Sequence, residues 1–190
     1  MPRKADRELE GRIANAACRL WSEKGEIALT MRNVARAART TTPTVYQRFR
    51  DKAGLLALVR GRFLEDAVAE LSPGRTTLAT CRLFLDYAAR NPNQYRLLTS
   101  DWAVRLSKKD PKPVFEMIKA RLAKDLGGKP EHHRRLALAM GFVAHGAATM
   151  LLAPGVSRGI SAELREVCLE TCKSLIEKGS PSRSKRKRAA

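Results

Sequence analysis

The chain has 190 residues, 44% of them hydrophobic, with 37 Lys and Arg against 19 Asp and Glu for a formal net charge of +18. That apolar share can build a core in one or two domains, which excludes a globally disordered chain despite the charge. No apolar run approaches the ~18 residues of a spanning helix, and the opening Met1-Pro2-Arg3-Lys4-Ala5-Asp6 lacks the apolar stretch of a signal peptide, so no membrane partner and a cytoplasmic location are expected.

Apolar residues recur at helical spacing almost throughout, and strand signals are nearly absent. The fold class expected is therefore all-α, with about nine helices. The first is expected over residues 6–24, on Leu9, Ile13, Ala16-Ala17 and Leu20-Trp21, with Gly25 at its C-terminal end. A short helix follows, capped by Thr30, with Val34, Ala35 and Ala38 inward. After Arg39-Thr40, Thr41 can cap another short helix, in which Pro43 is tolerated because it falls in the first turn. Val45 and Phe49 give that helix a buried face, and Thr42, Thr44, Gln47 and Arg48 lie on the other. Longer helices are expected over residues 52–71, 76–90, 93–107, 114–126, 131–152 and 161–178, separated by Ser72-Pro73-Gly74, Asn91-Pro92, Pro111 and Pro113, Gly127-Gly128, and Pro154-Gly155.

The charge is uneven: residues 1–52 carry 12 basic and 6 acidic side chains, and residues 179–190 carry 5 basic and none acidic. Such ends point to a polyanion. Cys18, Cys81, Cys168 and Cys172 contain no C-x-x-C pair and stand far from His132-His133, so they are expected as buried thiols in a reducing compartment, with no metal site. No Walker loop, G-x-G-x-x-G, G-x-S-x-G or H-E-x-x-H occurs; no cofactor and no enzymatic activity are expected.

Two short helices joined by a tight turn, the second exposing Thr, Gln and Arg, form a helix-turn-helix, whose second helix enters the major groove N-terminus first. Thr42, Thr44 and Gln47 are best placed for base edges, where Gln can pair with adenine and Thr can bond or meet a thymine methyl. The free N–H groups at the helix start suit phosphate, which Thr41 would approach.

The motif Arg12-Ile13-x-x-Ala16-Ala17-x-x-Leu20-Trp21-x-x-Lys24-Gly25, then Thr30-x-x-x-Val34-Ala35-x-x-Ala38, then Thr41-x-Pro43-Thr44-Val45-Tyr46-x-x-Phe49-x-x-Lys52-x-x-Leu55-Leu56, resembles the tetracycline-repressor (TetR) family of bacterial transcription regulators. The likeness spans about residues 9–60. It implies a DNA-binding domain at 1–52, an effector-binding and dimerisation domain at 53–178 in which 53–71 links the two, and a two-fold homodimer. By position it implies phosphate contacts from Thr30, Thr41, Tyr46, Arg48 and Lys52, and base readout from residues 42–47. Tyr46 could also be a core aromatic, and Arg32 and Arg36 could be merely solvated. The turn departs from the family pattern: Arg39-Thr40 stands where Gly and an apolar residue are usual, and Arg48 where His is common. Without glycine, Arg39 or its neighbour must take a costly positive φ, or the turn another geometry; the extra arginines, Arg39 included, are expected to add phosphate contacts.

In the second half, Met140-Gly141-Phe142-Val143-Ala144-His145-Gly146 resembles a W-x-x-x-H-G signature of one branch of that family in its His145-Gly146, with Phe142 one position after the place of the Trp. Phe84, Tyr95, Trp102, Phe115, Met117 and His145 are candidate liners of an effector pocket; His145 could equally be structural. Two apolar stripes, Leu136, Met140, Val143, Ala147 and Leu151, then Leu164, Val167, Cys168, Thr171 and Leu175, are expected to pair across a dimer axis. The basic tail 179–190 is expected to be disordered and to add sequence-blind attraction to phosphate. The function expected is a ligand-responsive homodimeric repressor on a pseudo-palindromic DNA operator; the alternatives are a basic architectural protein without sequence choice, or an enzyme with a vestigial DNA-binding domain.

Overall fold

A computed structural model of the chain describes residues 4–101, 104 and 112–179. Among the described residues its helices include α1 (Lys4–Lys24), α2 (Met31–Ala37), α3 (Thr42–Phe49), α4 (Lys52–Leu71), α5 (Thr77–Arg90), α6 (Pro92–Thr99), α7 (Pro113–Leu126), α8 (Arg134–Leu151) and α9 (Arg158–Gly179). Short 3-10 turns at Glu26–Ala28 and Pro130–His133 complete it, and no strand occurs among the described residues. The all-α expectation holds. Most bounds fall within a few residues of those expected. The helix expected from 131 opens as a 3-10 turn behind Pro130, and the last helix starts at Arg158 because Ser157 caps it, its Oγ accepting from the Ile160 N–H at 3.3 Å. The tail from residue 180 and Trp102 lie outside the described residues.

Contacts divide the described residues into two compact units, the first within 4–66 and 91–104 and the second within 67–90 and 112–179. The first has α1–α3 around a core of Ile13, Ala17, Trp21, Leu29, Val34 and Val45. It extends past a boundary at residue 52, because Leu55, Val59 and Phe63 bury one stripe of α4 in the same core and Leu97 of α6 joins them. Burying each such side chain contributes about 1.5–3 kcal/mol, so α4 cannot leave this core cheaply. Polar bonds reinforce the join. The Trp21 indole Nε1 donates to the Asn93 carbonyl at 2.9 Å, and Asn93 Nδ2 donates to the Ser22 carbonyl at 2.9 Å. Gly25 ends α1 at φ 68°, a left-handed conformation that glycine adopts without a Cβ penalty.

The second unit packs α8 against α9 and both against α5, with α7 alongside α5 and α8. Leu85, Leu122, Met140, Ala148 and Cys172 are fully buried in it. Its helix ends are capped from a distance. Asp125 Oδ2 accepts from the Thr77 N–H at the start of α5 at 2.8 Å, and Arg121 donates to the carbonyls of Leu71 and Ser72 at the end of α4, at 3.2 and 2.9 Å. Cys81, Cys168 and Cys172 are buried free thiols. The hydrogen bond with Cys172, and then burial, push the Cys168 thiol up, so it stays protonated and unreactive.

Candidate nucleic-acid interface

The reading head is α2, a four-residue connection and α3. Thr30 caps α2, its Oγ1 accepting from the Asn33 N–H at 3.1 Å, while Asn33 Nδ2 ties back to the Ala28 carbonyl at 3.1 Å. At the other end, the Thr40 N–H reaches the Ala35 carbonyl at 3.0 Å and the Arg39 N–H reaches that of Arg36 at 3.2 Å. That pair of bonds is a Schellman motif, and it demands a left-handed residue between helix and turn. The residue is Arg39, at φ 54°. The first of the two geometries open to a glycine-free turn is therefore the one adopted.

Thr41 starts α3: its Oγ1 accepts from the Thr44 N–H at 3.3 Å, and the Thr41 and Thr44 hydroxyls bond each other at 2.8 Å. Pro43 sits in the first turn, where its missing N–H leaves nothing unpaired. Val45 is fully buried and Phe49 packs partly against the same core. Tyr46 is 49% exposed and Gln47 is exposed, while Thr42 and Thr44 are half-buried beside the cap. Tyr46 is thus no core aromatic.

Two cations behave differently from expectation. Arg48 does not simply extend from the outer face: its guanidinium turns back to Asp6 in α1, with Nη2 to Oδ1 at 2.7 Å and Nη1 to the Asp6 carbonyl at 3.3 Å. The reason is that α1 begins beside the end of α3 and offers both a carboxylate and a carbonyl. Lys52 likewise has a counter-charge of its own, Glu26 at 3.4 Å, which eases the positive charge at the start of α4. The first turn of α4 is capped by Asp51, whose Oδ1 accepts from the Gly54 N–H at 2.8 Å; a Cβ on Gly54 would lie 2.5 Å from the Phe49 carbonyl, so only glycine fits this approach of α4 to α3.

Sequence reasoning missed a second feature of this unit. A groove of about 500 Å³ runs between α1 and the end of α2, walled by Arg12, Asn15, Arg19 and Arg39 over a floor that includes Ala16 and Ala38. The signal was present as Arg12 and Arg19 at i, i+7, one face of α1.

Of the candidate effector liners, Phe84, Phe115, Met117 and His145 belong to the second unit, and Tyr95 is buried in the first. Phe84 and His145 meet edge to face with ring centroids 5.1 Å apart. Burial lowers the His145 pKa to about 4, so the imidazole is neutral at physiological pH. Phe115 is instead flanked by cations, Lys119 Nζ at 5.7 Å and Arg134 at 5.8 Å from its centroid.

The two stripes assigned to dimerisation need correction. Met140, Ala147 and Cys168 are buried inside the second unit, at 1%, 9% and 2% exposure. The outward apolar face is instead Phe142 and Met150 on α8, 66% and 55% exposed, with Ile160 and Val167 on α9, 49% and 55% exposed. Thr171 is exposed beside them, and Leu136, Val143, Leu151, Leu164 and Leu175 lie at the margins, half-buried. No described helix is long and apolar enough to cross a membrane, and no described cluster of His, Cys, Asp and Glu could hold a metal ion.

Residues 13–59 match the family described as bacterial regulatory proteins, tetR family. A comparison with curated proteins finds no match. Among solved structures, the fold is similar to a TetR-like transcriptional regulator from Rhodococcus sp. RHA1, at 17% identity and a TM-score of 0.60 over 94% of this chain and 97% of that one. It is also similar to a protein from Streptomyces coelicolor described as a transcriptional regulator, at 22% identity and a TM-score of 0.52 over 88% of this chain and 97% of that one. The family match is thus confined to the helix-turn-helix, about a quarter of the chain, and over the rest the likeness to these regulators is one of all-helical fold.

Proposed function

We propose that the chain is a ligand-responsive repressor that binds a pseudo-palindromic operator as a homodimer and is released by a small molecule. The observation that carries the reading is α3 itself: a capped helix whose start presents Thr42, Thr44 and Gln47, side chains able to discriminate bases without carrying charge. Thr30, Thr41, Tyr46 and Lys52 flank that face and contact phosphate, as does Arg39 from the turn; Arg48, held by Asp6, sets the angle of α3 and keeps its remaining N–H groups for the backbone. Two copies pair through the outward face of Phe142, Met150, Ile160 and Val167, which supports dimerisation because four large apolar side chains lie open on two adjacent helices. Pairing sets two α3 helices in successive major grooves, about 34–36 Å apart. The effector enters the second unit near Phe84 and His145, where a neutral imidazole beside an aromatic ring suits an uncharged or weakly polar molecule. It acts in the cytoplasm, and its strength is bounded by its differential affinity for the bound and released states.

The test is selection of duplexes from a random-sequence library, followed by affinity measurements on the enriched site and a scrambled one. Thr44→Ala and Gln47→Ala should each cost about 1–3 kcal/mol on the enriched site and relax its sequence preference. Equal binding of both duplexes, unaffected by these substitutions, would instead mark a basic architectural protein.

A further inference from the structure

We propose that the groove between α1 and the α2–α3 turn is a second DNA contact, a seat for the sugar–phosphate strand beside the one read by α3. The proposal rests on the operator-binding reading above and adds residues to it. Three arginines, Arg12, Arg19 and Arg39, wall a groove of about 500 Å³ that no acidic side chain lines. None of the three has an ion-pair partner among the described residues, whereas Arg48 and Lys52 do. The fourth wall residue, Asn15, has its side-chain oxygen engaged by Arg62 at 3.4 Å, and its amide nitrogen can only donate. Three guanidinium groups over an alanine floor, with no carboxylate among the lining residues, make an arrangement that selects an anion.

The spacing selects an extended anion. Arg12 and Arg19 stand seven residues apart on α1, about 10.5 Å along its axis at 1.5 Å per residue. A nucleic-acid strand, which repeats its charge about every 3.4 Å of duplex axis, meets both side chains at once without requiring them to converge on one phosphate. Position points to the same ligand, because Arg39 lies two residues before Thr41, the cap of the helix that enters the major groove. Its left-handed backbone holds an arginine where the Schellman motif would be satisfied more cheaply by glycine. Strain kept at a non-glycine residue is a mark of functional use when the side chain also lines a site.

The experiment measures the salt dependence of binding to a random-sequence duplex of about 30 base pairs, since phosphate contacts need no operator. The variant is Arg12→Gln with Arg19→Gln and Arg39→Gly, the glutamines being chosen to preserve helix propensity. Each phosphate contact carries about 0.9 in the slope of log affinity against log salt, so the triple variant should bind with a slope shallower by about 2.7. Lys124→Gln with Lys129→Gln and Arg135→Gln removes the same net charge from exposed positions in and around α7 and α8, and should leave the slope near that of the wild type. Arg39→Gly alone should shorten the slope by about 0.9 with no loss of thermal stability, which separates the contact from folding. An unchanged slope in the triple variant, or an equal loss in the control, overturns the groove while the base-readout variants still test the operator reading. Calorimetry with sodium pyrophosphate supplies the other arm: binding that needs the three arginines, with the DNA slope untouched, would assign the groove to a free polyphosphate and overturn the DNA contact. Loss of discrimination between enriched and scrambled duplexes in the wild type would remove the operator reading and leave the groove's slope effect standing.

Discussion

Replacing Arg39 with glycine should stabilise the protein, because glycine is the usual residue at the left-handed position that closes a helix. Arg39 sits at φ 54°, held there by the Thr40-to-Ala35 and Arg39-to-Arg36 bonds that close α2. A left-handed L-residue costs about 1–2 kcal/mol. Glycine removes that cost, but its freer unfolded chain gives back about 0.5–1 kcal/mol. The net gain is therefore about 0.5–1 kcal/mol, or a Tm rise of about 1–4 °C for a chain of this size. Arg39→Ala provides the control, since it deletes the same guanidinium and keeps the strained backbone; it should fall about 1 kcal/mol below Arg39→Gly. Arg50 after α3 is strained differently, at φ 56° and ψ −53° in the γ-turn region, and Arg50→Gly should stabilise as well. Urea unfolding followed by circular dichroism measures all three. If Arg39→Gly is no more stable than Arg39→Ala, the left-handed conformation carries no strain worth counting and the reasoning fails.

Three further outcomes follow from the geometry. Thr41→Ala removes the cap of α3 and the hydroxyl bonded to Thr44, and should cost about 1 kcal/mol in urea unfolding, with Thr41→Ser restoring most of it. For His145, burial sets the folded pKa at about 4, below the ordinary 6.5, so the unfolded chain takes up a proton first. Stability is then full above about pH 6.5 and falls as pH drops toward 4, by at most about 3 kcal/mol. A His145→Gln variant should lose that slope, and an unchanged pH profile would show that the imidazole is not buried in the folded state. Phe142→Glu with Val167→Glu places charge on the exposed face of α8 and α9; sedimentation should report a shift from dimer to monomer with helicity retained, and an unaltered sedimentation coefficient would remove that face as the interface.

Local chemistry made the reading head legible. Thr30, Thr41 and Pro43 announce where α2 and α3 begin, because caps and first-turn prolines act within three or four residues. The same locality made the positive φ at the glycine-free turn predictable. The ion pair of Arg48 was not legible because its partner Asp6 is 42 positions away, and nothing local announces a return to α1. The extent of the first unit was hidden for a similar reason, since Trp21 and Asn93 meet across 72 positions. On α8 the difficulty is different. Leu136 to Leu151 is apolar on almost every face, so periodicity cannot separate the side buried inside the unit (Met140, Ala147) from the side left open (Phe142, Met150).

The distribution of paired and unpaired cations carries a consequence for how affinity and specificity divide. Near α3, Arg48 and Lys52 are already paired within the chain, with Asp6 and Glu26, so under the proposed contacts Lys52 must exchange a carboxylate for a phosphate while Arg48 keeps its own. That exchange releases little net attraction, because an exposed ion pair is worth only about 0–1 kcal/mol either way. The face proposed to read bases, Thr42, Thr44 and Gln47, is uncharged. Arg12, Arg19 and Arg39, by contrast, are among the cations of this unit with no ion-pair partner among the described residues, and they stand beside the reading helix rather than on it. Counterion release follows phosphate neutralisation and is blind to sequence, while discrimination follows base contacts. Substitutions on α3 should therefore change the ratio of specific to non-specific binding with little effect on the salt slope. Substitutions in the groove should flatten the slope for every duplex equally and leave the ratio unchanged, and any variant that moves both together would show that α3 and the groove do not act as separate parts.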